Sequence, residues 1–370
     1  MPTPTTLKRT PLYETHVALG GRMVEFAGFE MPVQYPTGPI TEHQTVRSAA
    51  GLFDIDHMGQ IIVDGPDAAD FLQYVVTSDV SELEDWQAHY SLLCYADGGT
   101  VDDIFIYKLP EYWWVVVNAS NLEKDFKWMQ AHTSGFDVTL KNVSDETYML
   151  AFQGPKAQEV LQRITDIDLG GIPFHAAARG KVDGVDTLIG NTGYTGEFGY
   201  ELFFPATEAK HVWDATLDAG KPEGVLPIGL AARDSLRFEP CLPLYGHELT
   251  ADISPLESGL GFAVKTNKGD FIGRDALLKQ RLEGPERKLV CLVMEDKGVP
   301  REHYPVLKDG QQIGFVTAGM LAPTVECMAA MALIPKSLAE VGSEVEVEIH
   351  GKPKKAKIVP RPFYVPAYRR

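Results

Sequence analysis

The sequence predicts an α+β chain, on three observations. Helical stretches with start and stop signals alternate with runs rich in β-branched and aromatic residues up to about residue 280. Two of the strand-to-helix segments resemble each other. From Lys288 onward helical periodicity gives way to strands and tight turns, the pattern of a small β-barrel or sandwich.

Taken in chain order, Thr41 stands before EHQTVRSAA and Gly51 follows it, which predicts a short helix with a capping threonine and a terminal glycine. Ser120 and Glu123 have capping-box spacing ahead of LEKDFKWMQAH, where Leu122, Phe126 and Met129 share one face. IIVDG, DIFIYKL, YWWVVVNAS, YMLAFQG and ELFFP read as strands. IIVDGPDAADFLQYV (Ile61 to Val75) and YMLAFQGPKAQEVLQRI (Tyr148 to Ile164) each run a strand into Gly-Pro, with proline where a first helical turn tolerates a missing N–H. Two similar α+β units follow. In the last region Asp309-Gly310 and His350-Gly351 read as hairpin turns. The charged helix and loop GRDALLKQRLEGPERK form the boundary, dividing 1–280, the two α+β units, from 285–370, the barrel domain.

Bulk properties narrow the function. Lys and Arg number 34 against 51 Asp and Glu, a net charge of −17, and that field repels a phosphate backbone or an anionic membrane. Neither nucleic acid nor membrane is an expected partner. Cys94, Cys241, Cys291 and Cys327 form no C-x-x-C pair, the Thr/Pro-rich start from Met1 to Arg9 has no apolar core, and no stretch reaches the ~18 apolar residues of a membrane span. The four cysteines read as buried thiols, and the expected location is the cytoplasm.

Four patches carry chemistry. In ADGGTVDDIFIYKL, Asp102 and Asp103 enter an apolar strand after a Gly-Gly turn, and alternation sends them to opposite faces. A buried one needs a partner or a raised pKa, as in acid/base sites; a turn aspartate capping backbone N–H groups is the plainer reading. GNTGYTGEFGYELFF has neither phosphate-loop spacing, so it is a hairpin whose glycines allow close approach of a ligand, with Glu201 able to accept hydrogen bonds from a planar amidine-like edge or simply exposed. FDIDHMG offers Asp54, Asp56 and His57, too few ligands for a metal site, and none is expected. GLAARDSLRFE sets Arg233 and Arg237 one helical turn apart, suited to a carboxylate or carbonyl or to a surface salt bridge. No G-x-S-x-G nucleophile signature occurs.

Together these segments closely resemble the aminomethyltransferases, or T-proteins, of the glycine cleavage system. The landmarks are FAGFEMPVQY, VRSAAGLFDIDHMGQ, GGTVDDIFIY, VVNASNLEKD, FQGPKAQ, NTGYTGEFGYE, GLAARDSLRFE, LPLYGHEL and DFIGRDAL, in order along nearly the whole chain. The resemblance implies a three-domain cloverleaf around a central hole that admits tetrahydrofolate, with 1–280 as the folate-binding part and the barrel closing one side. It implies transfer of an aminomethyl group from the lipoyl arm of a carrier, the H-protein, giving methylenetetrahydrofolate and ammonia. By the same resemblance Asp103 is the catalytic carboxylate, Tyr90, Asn118, Tyr194 and Arg233 contact folate, and Glu201 holds the pterin.

The chain also departs from that family. Asp56 replaces a serine, Phe29 a tryptophan, and the late serine-rich motif reads TAGMLAPTVE from Thr317 to Glu326. By analogy these lie on the substrate side of the hole, with Asp56 and Met58 as the residues expected there. The departures open an alternative, a tetrahydrofolate-dependent demethylase acting on a small methylated amine, sulfonium or aryl ether. A folate-binding protein without turnover is the third reading, although the cysteine motif of such relatives is missing.

Overall fold

Short helices and strands alternate from the start of the chain in the computed structural model, which describes residues 7–366; residues 1–6 of the Thr/Pro-rich start lie outside the described residues. Helix α1 (Tyr13–Ala18) leads into a ribbon of β1 (Arg22–Phe26) and β2 (Phe29–Gln34), then α2 (Pro39–Ser48) and β3 (Gly51–Asp54). A first unit follows: β4 (Gly59–Asp64), α3 (Ala68–Val75), β5 (Ala88–Cys94), β6 (Thr100–Lys108), β7 (Trp113–Val117), α4 (Leu122–Ala131) and β8 (Thr139–Asn142). The second unit comprises β9 (Thr147–Gln153), α5 (Ala157–Leu161), β10 (Ala177–Val182), β11 (Val185–Gly190), β12 (Gly199–Pro205) and α6 (Ala209–Gly220). After β13 (Leu226–Pro227), α7 (Leu230–Phe238) and α8 (Arg274–Glu283) come β14 (Arg287–Met294), β15 (Pro305–Lys308), β16 (Gln311–Ala322), β17 (Cys327–Pro335), β18 (Glu344–Ile349) and β19 (Lys352–Val359).

The first unit's strands form a sheet in the order β5-β6-β7-β4-β8, and the second unit's join β3 and β13 in the order β10-β11-β12-β9-β3-β13. Alternation along each strand decides what each sheet buries. On β12, Tyr200, Leu202 and Phe204 pack with Val212 and Trp213 of α6, while Phe203 points the other way to Trp114 and Val116 of the first sheet. On the far side of the first sheet, Ile61, Val63 and Val115 pack with Phe71 and Leu72 of α3 and Met129 of α4. The result is a layered body, helices outside and two sheets face to face.

The predicted repeat is present in detail. Gly65 and Gly154 both have positive φ after their strands, and each would drive a Cβ into a backbone carbonyl, that of Asp137 or of Ala49. At the same interval Gln73 and Gln162 accept from Val80 and Leu169 N–H groups, and Asp79 and Asp168 cap 3₁₀ turns.

Both predicted helix caps differ from the structure. Helix α2 starts at Pro39 after Gly38, so Thr41 lies inside it, and Gly51 begins β3, where a Cβ would meet Ile228 at 2.3 Å. Helix α4 is preceded by a 3₁₀ turn, Ala119–Asn121, and no side chain caps it, because Asn121 donates its amide to Asp102 instead.

From β14 to β19 the strands close a barrel in the order β14-β17-β16-β15-β18-β19. Asp309-Gly310 and His350-Gly351 make its tight turns, each with two positive φ values as a type I′ hairpin requires.

Two buried arginines fasten this barrel to the body. Arg47 of α2 donates to Glu239 (2.9 Å), Glu197 (3.1 Å), two backbone carbonyls and Thr324 of the barrel, with its guanidinium 4.3 Å from the Tyr364 ring. Arg237 of α7, 1% exposed, donates to Asp234 and Glu248 (2.8 Å each), and Glu248 accepts in turn from Thr317 of β16. Removing one partner of a buried ion pair strands the other charge at a cost of about 3 to 5 kcal/mol. Arg47→Met should therefore lower the unfolding free energy by about that amount in urea titration, and a loss under 1 kcal/mol would show that the guanidinium is not a fastening point.

Candidate functional site

A cavity of about 810 Å³ opens where the two sheets, α7 and the barrel meet, within the range that holds small-molecule ligands. Asp103, Phe105 and Val116 line it from the first sheet, Met149 and Glu201 from the second, Arg233 from α7, and Val290 and Ile358 from the barrel. Its wall is mainly apolar, with a few polar groups converging on it.

Strand β6 supplies the first of them. A two-residue period puts Asp103, Phe105 and Tyr107 on one face, and Asp103 pairs across to Leu92 of β5. The Asp103 carboxylate accepts from the Tyr90 hydroxyl (3.0 Å) and the Asn118 amide (2.9 Å). Burial, reinforced by the charge of Asp102, raises its pKa to about 7.

Asp102 is fully buried and does not line the cavity. Its carboxylate accepts from the Asn118 N–H (3.1 Å) and side-chain amide (2.9 Å) and from the Asn121 amide (2.7 Å). Asn118 therefore spends its two amide hydrogens on both neighbouring carboxylates. Behind them Asp125 is fully buried, no donor reaches either of its oxygens, and burial followed by contact with Asp102 raises its pKa to about 10. At neutral pH Asp125 therefore keeps its proton.

On the opposite wall Glu201 accepts through Oε2 from Thr192 (2.6 Å), and the Tyr107 hydroxyl, 2.7 Å from Thr192 and 3.2 Å from the same Oε2, gives its one hydrogen to one of the two. Among the described residues Oε1 has no hydrogen bond. Burial raises the Glu201 pKa, while its two hydroxyl partners and the charge of Arg233 oppose the rise. Arg233 lies over the Tyr194 ring at 4.6 Å and makes no salt bridge or hydrogen bond among the described residues. Tyr194 itself is anchored by donating to the Pro243 carbonyl. His57, buried and repelled by the Arg233 charge, is lowered to about 3 and stays neutral.

The sequence-predicted residues Asp103, Tyr90, Asn118, Tyr194, Glu201, Arg233 and Met58 all line this one cavity. Asp56 does not. Its carboxyl accepts from the Met149 N–H (3.2 Å), so it ties the loop after β3 to β9 instead of facing a ligand. The late motif is likewise off the cavity: Ala318 and Ala322 are buried in the body–barrel contact, and Thr324 meets His43 and Arg47. Phe29 sits in the β1–β2 ribbon under Lys8. Asp54 pairs with His16 and Thr10, and Arg237 is neither on the cavity nor on the surface. Among the described residues no group of three or more His, Cys, Asp or Glu side chains could hold a metal ion.

Tyr107 and Thr192 were not singled out in the sequence, although the period of β6 could have placed Tyr107 with Asp103. Cys241 and Cys291, far apart in sequence, meet at 3.3 Å, and Cys327 is only half-buried.

Comparison with known proteins agrees with this geometry. Residues 12–268 match the family described as GCVT N-terminal domain, and residues 287–364 match the glycine cleavage T-protein C-terminal barrel domain. The aminomethyltransferase of Desulfitobacterium hafniense (strain DSM 10664 / DCB-2) is 50% identical over 361 residues, 97% of this chain and 99% of that one. That of Geobacillus kaustophilus (strain HTA426) is 52% identical over 361 residues, again 97% and 99%. The crystal structure of glycine cleavage system aminomethyltransferase T from Bartonella henselae superposes with a TM-score of 0.92 at 34% identity, covering 98% of this chain and 100% of that one.

The acid cluster makes a prediction independent of function. Asp102→Asn removes the negative charge that helps hold Asp103 up, so Asp103 should titrate below about 7. Carboxyl ¹³C shifts followed against pH would show the midpoint falling, and an unchanged midpoint would mean the two carboxyls are not coupled.

Proposed function

The chain belongs to the glycine cleavage T-protein family, the aminomethyltransferases, and on that premise we propose that its cavity binds tetrahydrofolate beside Asp103 and receives the aminomethyl-lipoyl arm of an H-protein. It is a transferase. The observation that carries the folate reading is the open Oε1 of Glu201: a buried carboxylate with one oxygen filled and the other free asks for N–H donors, and the amino-pyrimidinone edge of a pterin presents adjacent ones. The residues fit the ligand on other counts as well. Arg233 is a half-buried guanidinium on the cavity wall, open to a carbonyl or carboxylate, and Tyr90, Asn118 and Tyr194 complete the polar lining of an otherwise apolar wall.

Tetrahydrofolate would supply the amine nitrogens that take up the one-carbon unit. The chain's own part is orientation and proton control. Capture of a methylene carbon by an amine releases a proton, and departure of ammonia consumes one. Asp103, raised to about 7 and aimed by Tyr90 and Asn118, can hold and return that proton near neutral pH. Tyr90, pushed up by burial, stays a phenol and serves as donor only. The apolar wall excludes water that would otherwise compete for the one-carbon unit. As part of this proposal we assign the reaction to the cytoplasm and take 1–280 and 285–370 as the folate-binding and barrel domains.

The demethylase alternative drew on Asp56 and the late motif, and neither reaches the cavity. Product identity separates the two readings. Protein supplied with tetrahydrofolate and aminomethyl-loaded H-protein should yield methylenetetrahydrofolate and ammonia; methyltetrahydrofolate formed from methylated small molecules, with no reaction of the carrier, would overturn the proposal.

Two substitutions probe the residue roles. Asp103→Asn keeps a hydrogen-bonding group but cannot take up a proton, so kcat should fall by roughly 10² to 10⁴ with little change in folate Kd. If Asp102→Asn were the crippling change instead, the choice of carboxylate would be wrong. Glu201→Gln removes a charged acceptor worth about 1.5 to 3 kcal/mol, so folate affinity measured by calorimetry should drop by roughly 10 to 150-fold; unchanged affinity takes Glu201 out of the pterin site.

A further inference from the structure

Two thiols meet at the joint between body and barrel. Cys241 follows α7 in the body, Cys291 lies in β14 of the barrel, and their sulfurs are 3.3 Å apart. Both are buried, at 3% and 1% exposure, and both form part of the cavity wall. A small oxidant that enters the cavity therefore reaches this pair. Cys94 is buried elsewhere, against Leu92 and Leu249, and Cys327 is half-exposed with no thiol partner among the described residues.

We infer that Cys241 and Cys291 are a peroxide-oxidisable pair that forms a disulfide joining the body to the barrel. The first step makes a sulfenic acid at Cys241: its sulfur takes one oxygen from hydrogen peroxide and one water is released. The Cys291 thiol then attacks that sulfur, the S–S bond forms, and hydroxide leaves with the thiol proton as a second water. Two thiols lose two electrons and two protons in all, and one peroxide becomes two waters.

Local geometry favours this order. With Cys291 as the S–H donor, its hydrogen bond and the nearby Arg361 guanidinium favour the thiolate of Cys241 against the cost of burial, while the thiolate of Cys291 is disfavoured. Arg361 also donates to the Cys241 carbonyl at 3.0 Å, and Cys241 has a φ of 59°, so the backbone that presents the sulfur is fixed from two sides. Bond formation must draw the sulfurs from 3.3 Å to about 2.05 Å.

The test treats the purified full-length protein with hydrogen peroxide, blocks remaining thiols with an alkylating agent, and maps peptides by mass spectrometry without reduction. The expected product is one crosslinked peptide pair containing Cys241 and Cys291, released by dithiothreitol, missing from Cys291→Ala, and accompanied by a higher thermal midpoint that returns to the reduced value on reduction. The inference is overturned if both cysteines remain alkylatable while Cys327 is oxidised, if each is oxidised singly to a sulfinic acid, or if the crosslinks join Cys94 or Cys327. Because the mapping is done on the unsubstituted protein, it decides the question even if Cys291→Ala does not fold.

Discussion

Burial of two guanidinium groups at the joint between body and barrel is the constraint on which the cavity depends. An arginine taken out of water must have its donors met by acceptors in fixed places, because an unmatched buried charge costs several kcal/mol. Arg47 collects acceptors from the loop before β12, the end of α7 and the barrel; Arg237 is held by Asp234 and by Glu248, which also takes the Thr317 hydroxyl of β16. Apolar packing alone is non-directional and would allow the barrel to slide and close on the body. The charge network permits one seating, and that seating leaves space between Arg233 on one side of α7 and the barrel strands.

Much of this was legible in sequence where the signal is local and its physics is backbone geometry. Gly-Pro after a strand, Asp-Gly and His-Gly between strands, and the two-residue period around Asp103 each depend on a few adjacent residues, and each is realised. The helix caps were not, because capping competes with tertiary demand: Asn121 serves Asp102, and Pro39 starts α2 two residues before Thr41. Asp56 misled for a similar reason. A carboxylate next to a site motif looks like a ligand for substrate, but a buried N–H on β9 claimed it first. The meeting of Cys241 with Cys291 and of Tyr107 with Glu201 joins residues from different elements, and no local pattern encodes those distances.

The three aspartates near Asn118 show how proton bookkeeping follows from burial. Asp102, Asp103 and Asp125 sit together with amide and hydroxyl donors and one lysine, Lys124, 3.7 Å from Asp125. Three buried negative charges cannot be stabilised by that set. The cluster therefore keeps a proton on Asp125, raised to about 10 by burial and by Asp102, while Asp102 accepts from three N–H groups. Asp103 lies beside Asp102 at the edge of the cavity, and burial together with that neighbour brings its titration to about 7.

Glu201 and Asp103 are both carboxylates on the cavity wall, yet their surroundings divide the work between them. Burial raises the pKa of each. At Glu201 the neighbours counter the rise that burial causes, since two hydroxyls lie against Oε2 and Arg233 adds positive charge; at Asp103 the nearest carboxylate, Asp102, adds to it, while Tyr90, Asn118 and the backbone N–H of Asp103 resist. The carboxylates themselves come from the two repeated units, the first sheet supplying Asp103 and the second Glu201, with Tyr107 of the first sheet reaching across to Glu201. Two similar sheets facing a shared cavity thus give one chain two carboxylates in different surroundings.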